Sequence, residues 1–380
     1  MRRTLYSDEH EAFRAAFRAF LDRDAVPNVE AWEHAGTVDR AFITAAARTG
    51  FLGFEFDARY GGIGIDDFRY NAVMTEEVIA SGMAGDTFSM QNDIIVPYLR
   101  DLTDDAQKVR WLPKFTNGDC VTALGMTEPG AGSDLASIRT TARRDGDDLI
   151  IDGTKTFITS GATCDMAIVL ARTGERDGRG TSFVVVEYGT PGFERGRPMR
   201  KIGRKAQDTA ELVFTGCRVP ASNIIGEPGR GFGSAIANLP RERLSIAVAA
   251  VASAAHCLRL TLAHVRERQA FGGPLAQLQS VRMSIAEMHT DTQIVQHYID
   301  RCVVALNEGE LTADDAAGAK YKATELQWDV LDRCLQLFGG YGYMEEYPIA
   351  RMWRDARIQR IYGGANEVMK DLVGRAVTAR

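Results

Sequence analysis

The sequence predicts a multidomain α+β protein in three parts: a helical N-terminal domain over residues 1–118, a middle β domain over 119–230 and a C-terminal helical bundle over 231–380. Three observations carry that reading. Apolar residues recur at helical spacing through residues 5–115, short β-branched runs broken by turn dipeptides follow from Cys120, and long helical periodicities return beyond Gly233.

In the first part, Phe13, Phe17, Phe20 and Leu21 mark one helical face behind a candidate cap at Ser7. A second helix is expected from Asp39 to a glycine stop at Gly50. A third follows Asp66-Asp67 through Val73, Val78 and Ile79, and Thr103-Asp104-Asp105 opens a short helix expected to end before Pro113. In the middle part, Asp145-Gly146, Asp152-Gly153 and Pro191-Gly192 read as turns. Thr181-Ser182-Phe183-Val184-Val185-Val186 and Glu211-Leu212-Val213-Phe214 read as strands, which suits a small barrel or a sandwich. In the last part, periodic stretches near 234–268, 275–307 and 313–338, with a shorter one after Gly364, are spaced like a four-helix bundle.

Composition narrows the function. Lys plus Arg number 45 against 51 Asp plus Glu, the net charge is −6 and 45% of residues are apolar, as in an ordinary globular protein. Mild acidity gives no broad electrostatic reason to bind nucleic acid. The longest uncharged run, residues 244–258, is short of the roughly 20 apolar residues that cross a bilayer, so no membrane span is expected. Met1-Arg2-Arg3 is followed by Tyr6-Ser7-Asp8-Glu9-His10 rather than an apolar core, which does not read as a secretion leader, and a cytoplasmic location is expected. The six cysteines include no pair at the spacing of zinc ribbons or redox motifs, and the His256/His264 and His289/His297 pairs lie two helical turns apart, too far to share a metal. No Gly-x-Gly-x-x-Gly, phosphate loop, His-Glu-x-x-His or Gly-x-Ser-x-Gly is present, so any cofactor is held by other means.

Met126-Thr127-Glu128-Pro129-Gly130-Ala131-Gly132-Ser133-Asp134 directly follows a predicted strand. Its Pro-Gly turn and its glycines let backbone N–H groups approach a ligand, while Thr127 and Ser133 add hydroxyls. Taken alone such a loop is more often a plain connection. It is joined in order by Lys155-Thr156-Phe157-Ile158-Thr159, by Arg266-Glu267-Arg268-Gln269-Ala270-Phe271-Gly272 with Gln279, by Gln336-Leu337-Phe338-Gly339-Gly340-Tyr341-Gly342 and by Ile361-Tyr362-Gly363-Gly364-Ala365-Asn366-Glu367. Each piece alone has a bland explanation: Arg268 a solvated helix residue, Phe157 a core aromatic, residues 336–342 a helix ending at glycine.

Together these five motifs resemble the acyl-CoA dehydrogenase family over essentially the whole chain, most nearly its long-chain subgroup. The resemblance implies a middle β-barrel domain, a C-terminal four-helix bundle and non-covalent FAD. It implies flavin contacts from Leu124, Met126, Thr127, Gly132, Ser133, Phe157, Ile158 and Thr159. Arg268, Phe271, Gln279, Gln336, Leu337, Gly339 and Gly340 would reach the FAD of a neighbouring subunit, and Ala365, Asn366 and Glu367 complete the cofactor set. A homotetramer is therefore expected, with an acyl-CoA substrate and an electron-transfer flavoprotein as electron acceptor.

Removing the α-proton of a thioester while the β-hydrogen leaves as hydride calls for a carboxylate base. Many family members carry it in a C-terminal Tyr-Glu-Gly-Thr, where this chain reads Tyr362-Gly363-Gly364-Ala365. The long-chain and isovaleryl subgroups supply it instead from a Glu-Arg-Leu, matched here in Leu239-Pro240-Arg241-Glu242-Arg243-Leu244, so Glu242 is the expected base. Pro240 suggests that Glu242 sits near a helix N-terminus, where the dipole would oppose a raised pKa and burial would favour one. The backbone N–H of Gly363 would bind the thioester oxygen, and Pro240, Arg243, Ser133 and Gly364 would line the substrate. Flavin oxygen chemistry on the same fold, or a non-catalytic scaffold that lost its base at position 363, are the competing readings.

Overall fold

The computed structural model describes residues 3–83, 87–174 and 180–379; Met1 and Arg2 of the leader reading lie outside the described residues. The N-terminal part holds α1 (Asp8–Asp24), α2 (Val29–Ala35), α3 (Arg40–Arg48), α4 (Phe68–Ala80), a π-helix (Ser89–Ile95), α5 (Val96–Asp101) and α6 (Asp105–Thr116). Phe17, Phe20, Phe42, Phe51 and Phe88 fill its core, with Phe17 edge-on to Phe88 at 4.9 Å. The expected stop before Pro113 is not observed: α6 runs through it. A helical proline withdraws a hydrogen bond from the carbonyl four residues back, and here that residue is the exposed Val109, on the solvent side of the helix. The π-helix and α2 escape a periodicity reading. In the π-helix the buried side chains are polar: Gln91 donates to the Thr122 carbonyl at 2.9 Å and Asn92 to the Phe51 carbonyl at 2.8 Å.

The middle part holds β1 (Thr122–Gly125), β2 (Thr141–Asp145), β3 (Asp148–Thr159), β4 (Met166–Arg172), β5 (Thr181–Glu187), β6 (Phe193–Arg195), β7 (Thr209–Pro220) and β8 (Ile224–Ile225). They form one sheet in the order β6-β7-β3-β2-β4-β5-β8, with β1 parallel to β4. Strand parity assigns the two faces. Ile168, Leu170, Phe183 and Val185 enter the core shared with the N-terminal helices, while Val169, Ala171, Val184 and Val186 pack on the opposite side. Burial on both faces is why β5 reads as an unbroken apolar run instead of alternating.

The C-terminal part holds α7 (Gly231–Glu267), a short hairpin of β9 (Gln269–Ala270) and β10 (Gly273–Pro274), α8 (Gln279–Asn307), α9 (Ala313–Phe338), α10 (Pro348–Ala356) and α11 (Asn366–Thr378). α8 begins four residues later than expected because Leu275–Gln277 is a 3-10 turn. The helix α7 is long and apolar enough to cross a membrane by length and composition. Here Leu244, Ala247, Val251 and Leu258 of α7 pack against Val295, Ile299, Val330 and Leu331 of α8 and α9, which makes it the central helix of a protein core.

Candidate active site

Position 242 lies well inside α7, whose first residue is Gly231, so the expected nearness of Glu242 to a helix N-terminus is corrected. Pro240 is tolerated within the helix because the carbonyl it leaves unpaired belongs to Ile236, which is itself exposed. The dipole acts over the first turn only and does not oppose a raised pKa here. Burial dominates: Glu242 is 6% exposed, and the loss of water pushes its carboxyl up to about 7, against the Tyr98 hydroxyl and the nearby Arg243, which both favour the ionised form. The Tyr98 hydroxyl donates to Glu242 Oε1 at 3.1 Å, and the Asn238 amide, one turn earlier on α7, hydrogen-bonds the same tyrosine.

A buried polar network fixes this stretch of α7 to the N-terminal domain. Arg241 and Arg100 both pair with Glu55, the latter at 2.8 Å, while Ser245 donates to Asp93 of the π-helix, which also accepts from Asn71 at 2.7 Å. Glu55 and Asp93 thus grip the residues on either side of Glu242, so the base is held by contacts that do not consume its own carboxylate.

Gly363 and Gly364 approach α7 from the C-terminal side. Both have left-handed backbones, with φ of 65° and 98°. A Cβ at 363 would come within 2.4 Å of Ile246 Cδ1, so Ile246 fills the space that a side chain there would need. The Gly363 carbonyl accepts from Arg243 Nε at 3.3 Å and the Gly364 carbonyl from Lys320 Nζ at 2.7 Å, while the Gly363 N–H makes no hydrogen bond among the described residues. These contacts bring Glu242, Arg243, Gly363 and Gly364 into one corner.

The two middle-domain motifs are bound to each other by a pair that the sequence does not betray. Lys155 is fully buried and donates to Glu128 at 2.8 Å and to the Met126 carbonyl at 3.1 Å, while Glu128 also accepts the N–H groups of Arg139 and Thr140. Burial holds the Lys155 ammonium down to about 8 in spite of its partner. The Thr156 N–H to Thr127 carbonyl bond, at 2.9 Å, completes the join. On this platform Phe157 sits at a bulge in β3 with φ of 58° and is 68% exposed. A large apolar ring held in strained backbone and presented outward, beside Met126, Thr127 and Thr159, suits a flat aromatic cofactor such as a flavin. Gly132 and Ser133 are exposed on the same loop. Not every predicted contact is available: the side chains of Leu124 and Ile158 point into the core, which leaves only their backbones for a cofactor.

A separate cleft of 500 Å³ gathers His264, Arg268, Gln336, Leu337, Gly339 and Gly340. Arg268 stacks on Tyr341 at 5.6 Å, and Phe271 in the nearby hairpin is 92% exposed with φ of 53°. Gln279, exposed, begins α8. Of the last group, Ala365 caps α11 and Glu367 is exposed, but the Asn366 side chain is buried against Lys320 and Thr324 at 2.9 and 3.0 Å and cannot face a cofactor.

Along α7, Glu242, Ile246, Ala249, Ser253 and His256 share one face at alternating spacings of four and three. From Ala249 onward that face lines a cavity of 510 Å³, walled across by Val78 and Met83 and by Met352 and Gln359.

The chain matches the family models described as the acyl-CoA dehydrogenase N-terminal domain over residues 7–119, middle domain over 123–217 and C-terminal domain over 229–378. The chain belongs to the acyl-CoA dehydrogenase family. It is 42% identical to the mitochondrial long-chain specific acyl-CoA dehydrogenase of Sus scrofa, over 99% of this chain and 88% of that protein. The crystal structure of an acyl-CoA dehydrogenase from Geobacillus kaustophilus superposes with a TM-score of 0.96 at 42% identity, covering 98% of both chains. A glutaryl-CoA dehydrogenase from Mycobacterium smegmatis in complex with FADH2 superposes with a TM-score of 0.91 at 28% identity, covering 99% of this chain and 96% of that one. As an acyl-CoA dehydrogenase the protein is an oxidoreductase of a FAD-dependent family, with helical ends and a central sheet as the sequence predicts.

Proposed function

We propose that this enzyme oxidises medium- to long-chain acyl-CoA thioesters to trans-2-enoyl-CoA, with Glu242 as the base that takes the α-proton. The observation that carries the reading is a buried carboxylate with its pKa raised to about 7, set beside the Gly363 turn. A base poised near neutral pH has both enough ionised form and enough proton affinity to act. The Gly363 N–H, which has no hydrogen-bond partner among the described residues, is the donor for the thioester oxygen as negative charge develops on it. Arg243 holds that turn through the Gly363 carbonyl. Met126, Thr127, Phe157 and Thr159 would hold FAD non-covalently, and the bound flavin would supply the hydride acceptor for the β-hydrogen, with an electron-transfer flavoprotein as the acceptor of its electrons. Exclusion of water by the closed corner keeps Glu242 basic until the substrate arrives. The cavity along α7 supports a long tail, since it lies beyond Ile246 on the face that carries the base.

The arrangement of Arg268, Phe271 and the 336–340 cleft, exposed and apart from Glu242, supports a homotetramer in which that surface completes a neighbour's FAD site. Anaerobic titration of the holoenzyme with acyl-CoAs of increasing length tests the function: the flavin absorbance should bleach, most readily with long chains. Failure of every thioester to bleach it would refute the dehydrogenase reading, and stoichiometric peroxide in air would point to an oxidase.

A further inference from the structure

The cavity beyond Ile246 is not lined as a channel for a plain hydrocarbon would be. Gln327 of α9 and Gln359, just after α10, are each 2% exposed, both line it, and the side-chain oxygen of each has no hydrogen-bond partner among the described residues. The hydroxyl-bearing Ser253 and Thr75, also buried, stand on its α7 and α4 walls. A buried amide without a partner is costly, and an all-methylene tail could satisfy none of these groups.

We propose that the cavity selects acyl chains that carry a hydroxyl group toward their far end. The inference rests on the dehydrogenase reading above and narrows its substrate class. A hydroxyl both donates and accepts, so one group can give its proton to a glutamine oxygen and take one from the amide N–H₂ of the other. Two amides and two hydroxyls carry no charge, and they call for a neutral polar group. Arg351 faces Glu33 at 3.6 Å, the Arg204 N–H and the Arg354 side chain both bond Asp355, and Arg259 contacts His256, whose imidazole burial holds down to about 4 and hence neutral. Asp355 is thus bonded from two sides, whereas the two glutamine oxygens have no hydrogen-bond partner among the described residues. Position along the helix sets where the hydroxyl belongs. Ser253 lies eleven residues beyond Glu242, roughly 16 Å at 1.5 Å per residue, which places the polar wall near the tail of a long chain and not beside the thioester.

The test measures binding in the Glu242→Gln holoprotein, which keeps the cavity while holding back turnover. Calorimetric dissociation constants would be compared for hexadecanoyl-CoA, its ω-hydroxy form and its ω-carboxy form. One hydrogen bond made in place of a buried unpartnered group predicts that the ω-hydroxy thioester binds at least about fivefold tighter than hexadecanoyl-CoA. Gln327→Leu and Gln359→Leu should each bring that ratio toward one. Equal or weaker binding of the hydroxylated chain would overturn the proposal, as would tighter binding of the carboxylated one or a ratio that survives both substitutions. Should either leucine variant fail to fold, the three thioesters compared on the intact glutamine pair still decide between these outcomes. If hexadecanoyl-CoA binds and shows no such discrimination, only the hydroxyl preference falls; if neither thioester binds, the dehydrogenase reading falls with it.

Discussion

Glu242 owes its proton affinity to burial, and Tyr98 is the neighbour from another domain that works against it. The phenol stabilises the ionised carboxylate through its 3.1 Å bond, and Arg243 adds to that from the next position on α7. Tyr98→Phe removes the hydrogen bond and keeps the ring packed edge-on to Phe183 at 4.9 Å. The carboxyl must be ionised to accept a proton, so flavin reduction should speed up as pH rises through about 7 in the parent. In Tyr98→Phe the midpoint should move to higher pH, read from the second-order rate of flavin bleaching at low substrate; an unmoved profile would show that the tyrosine does not act on the base. Glu242 is legible in the sequence because its neighbours Arg243 and Leu244 complete a pattern and because position 363 lacks the usual acid. Tyr98 and the Lys155–Glu128 pair are not, because each meets its partner only after distant segments fold together, and neither pairing leaves a mark on local spacing.

At the scale of elements, the site is a meeting of one helix with one turn. The turn is shaped by glycine: Gly363 lies in the left-handed region and Ile246 occupies the place of its missing side chain. Gly363→Ala should therefore lower stability by about 1–2 kcal/mol from backbone strain alone, measurable as a lower denaturant midpoint. A variant as stable as the parent would mean that the turn relaxes freely. Long periodic elements such as α9 are legible to the residue, whereas the π-helix is hidden by its inward polar side chains, and α6 outruns its expected end because a proline near the exposed Val109 costs little. Pro240 misleads in the same way about how near Glu242 lies to the beginning of α7.

At the scale of the molecule, five motifs scattered over the chain fall into three places: the corner where Gly363 meets α7 beside Glu242, the Phe157 platform, and the outward cleft around Arg268 and Gln336. Their order identifies the family, but their separation in one chain is beyond a linear reading, because it follows from how α7, α8 and α9 pack. If the cleft serves a neighbouring subunit, the holoenzyme should sediment at four chain masses. Arg268→Ala should lose FAD on gel filtration to well below one per chain, and a monomer that keeps its full FAD would contradict the shared site.

The role of Glu242 is tested most directly by the rate at which a bound long-chain acyl-CoA reduces the flavin in anaerobic stopped-flow, parent against Glu242→Gln. Glutamine can still accept the Tyr98 hydrogen bond but cannot take a proton, so the single-turnover rate should fall by at least about 10²-fold while the thioester still binds. Flavin bleaching in the variant at the parent's rate would show that the α-proton goes to some other group.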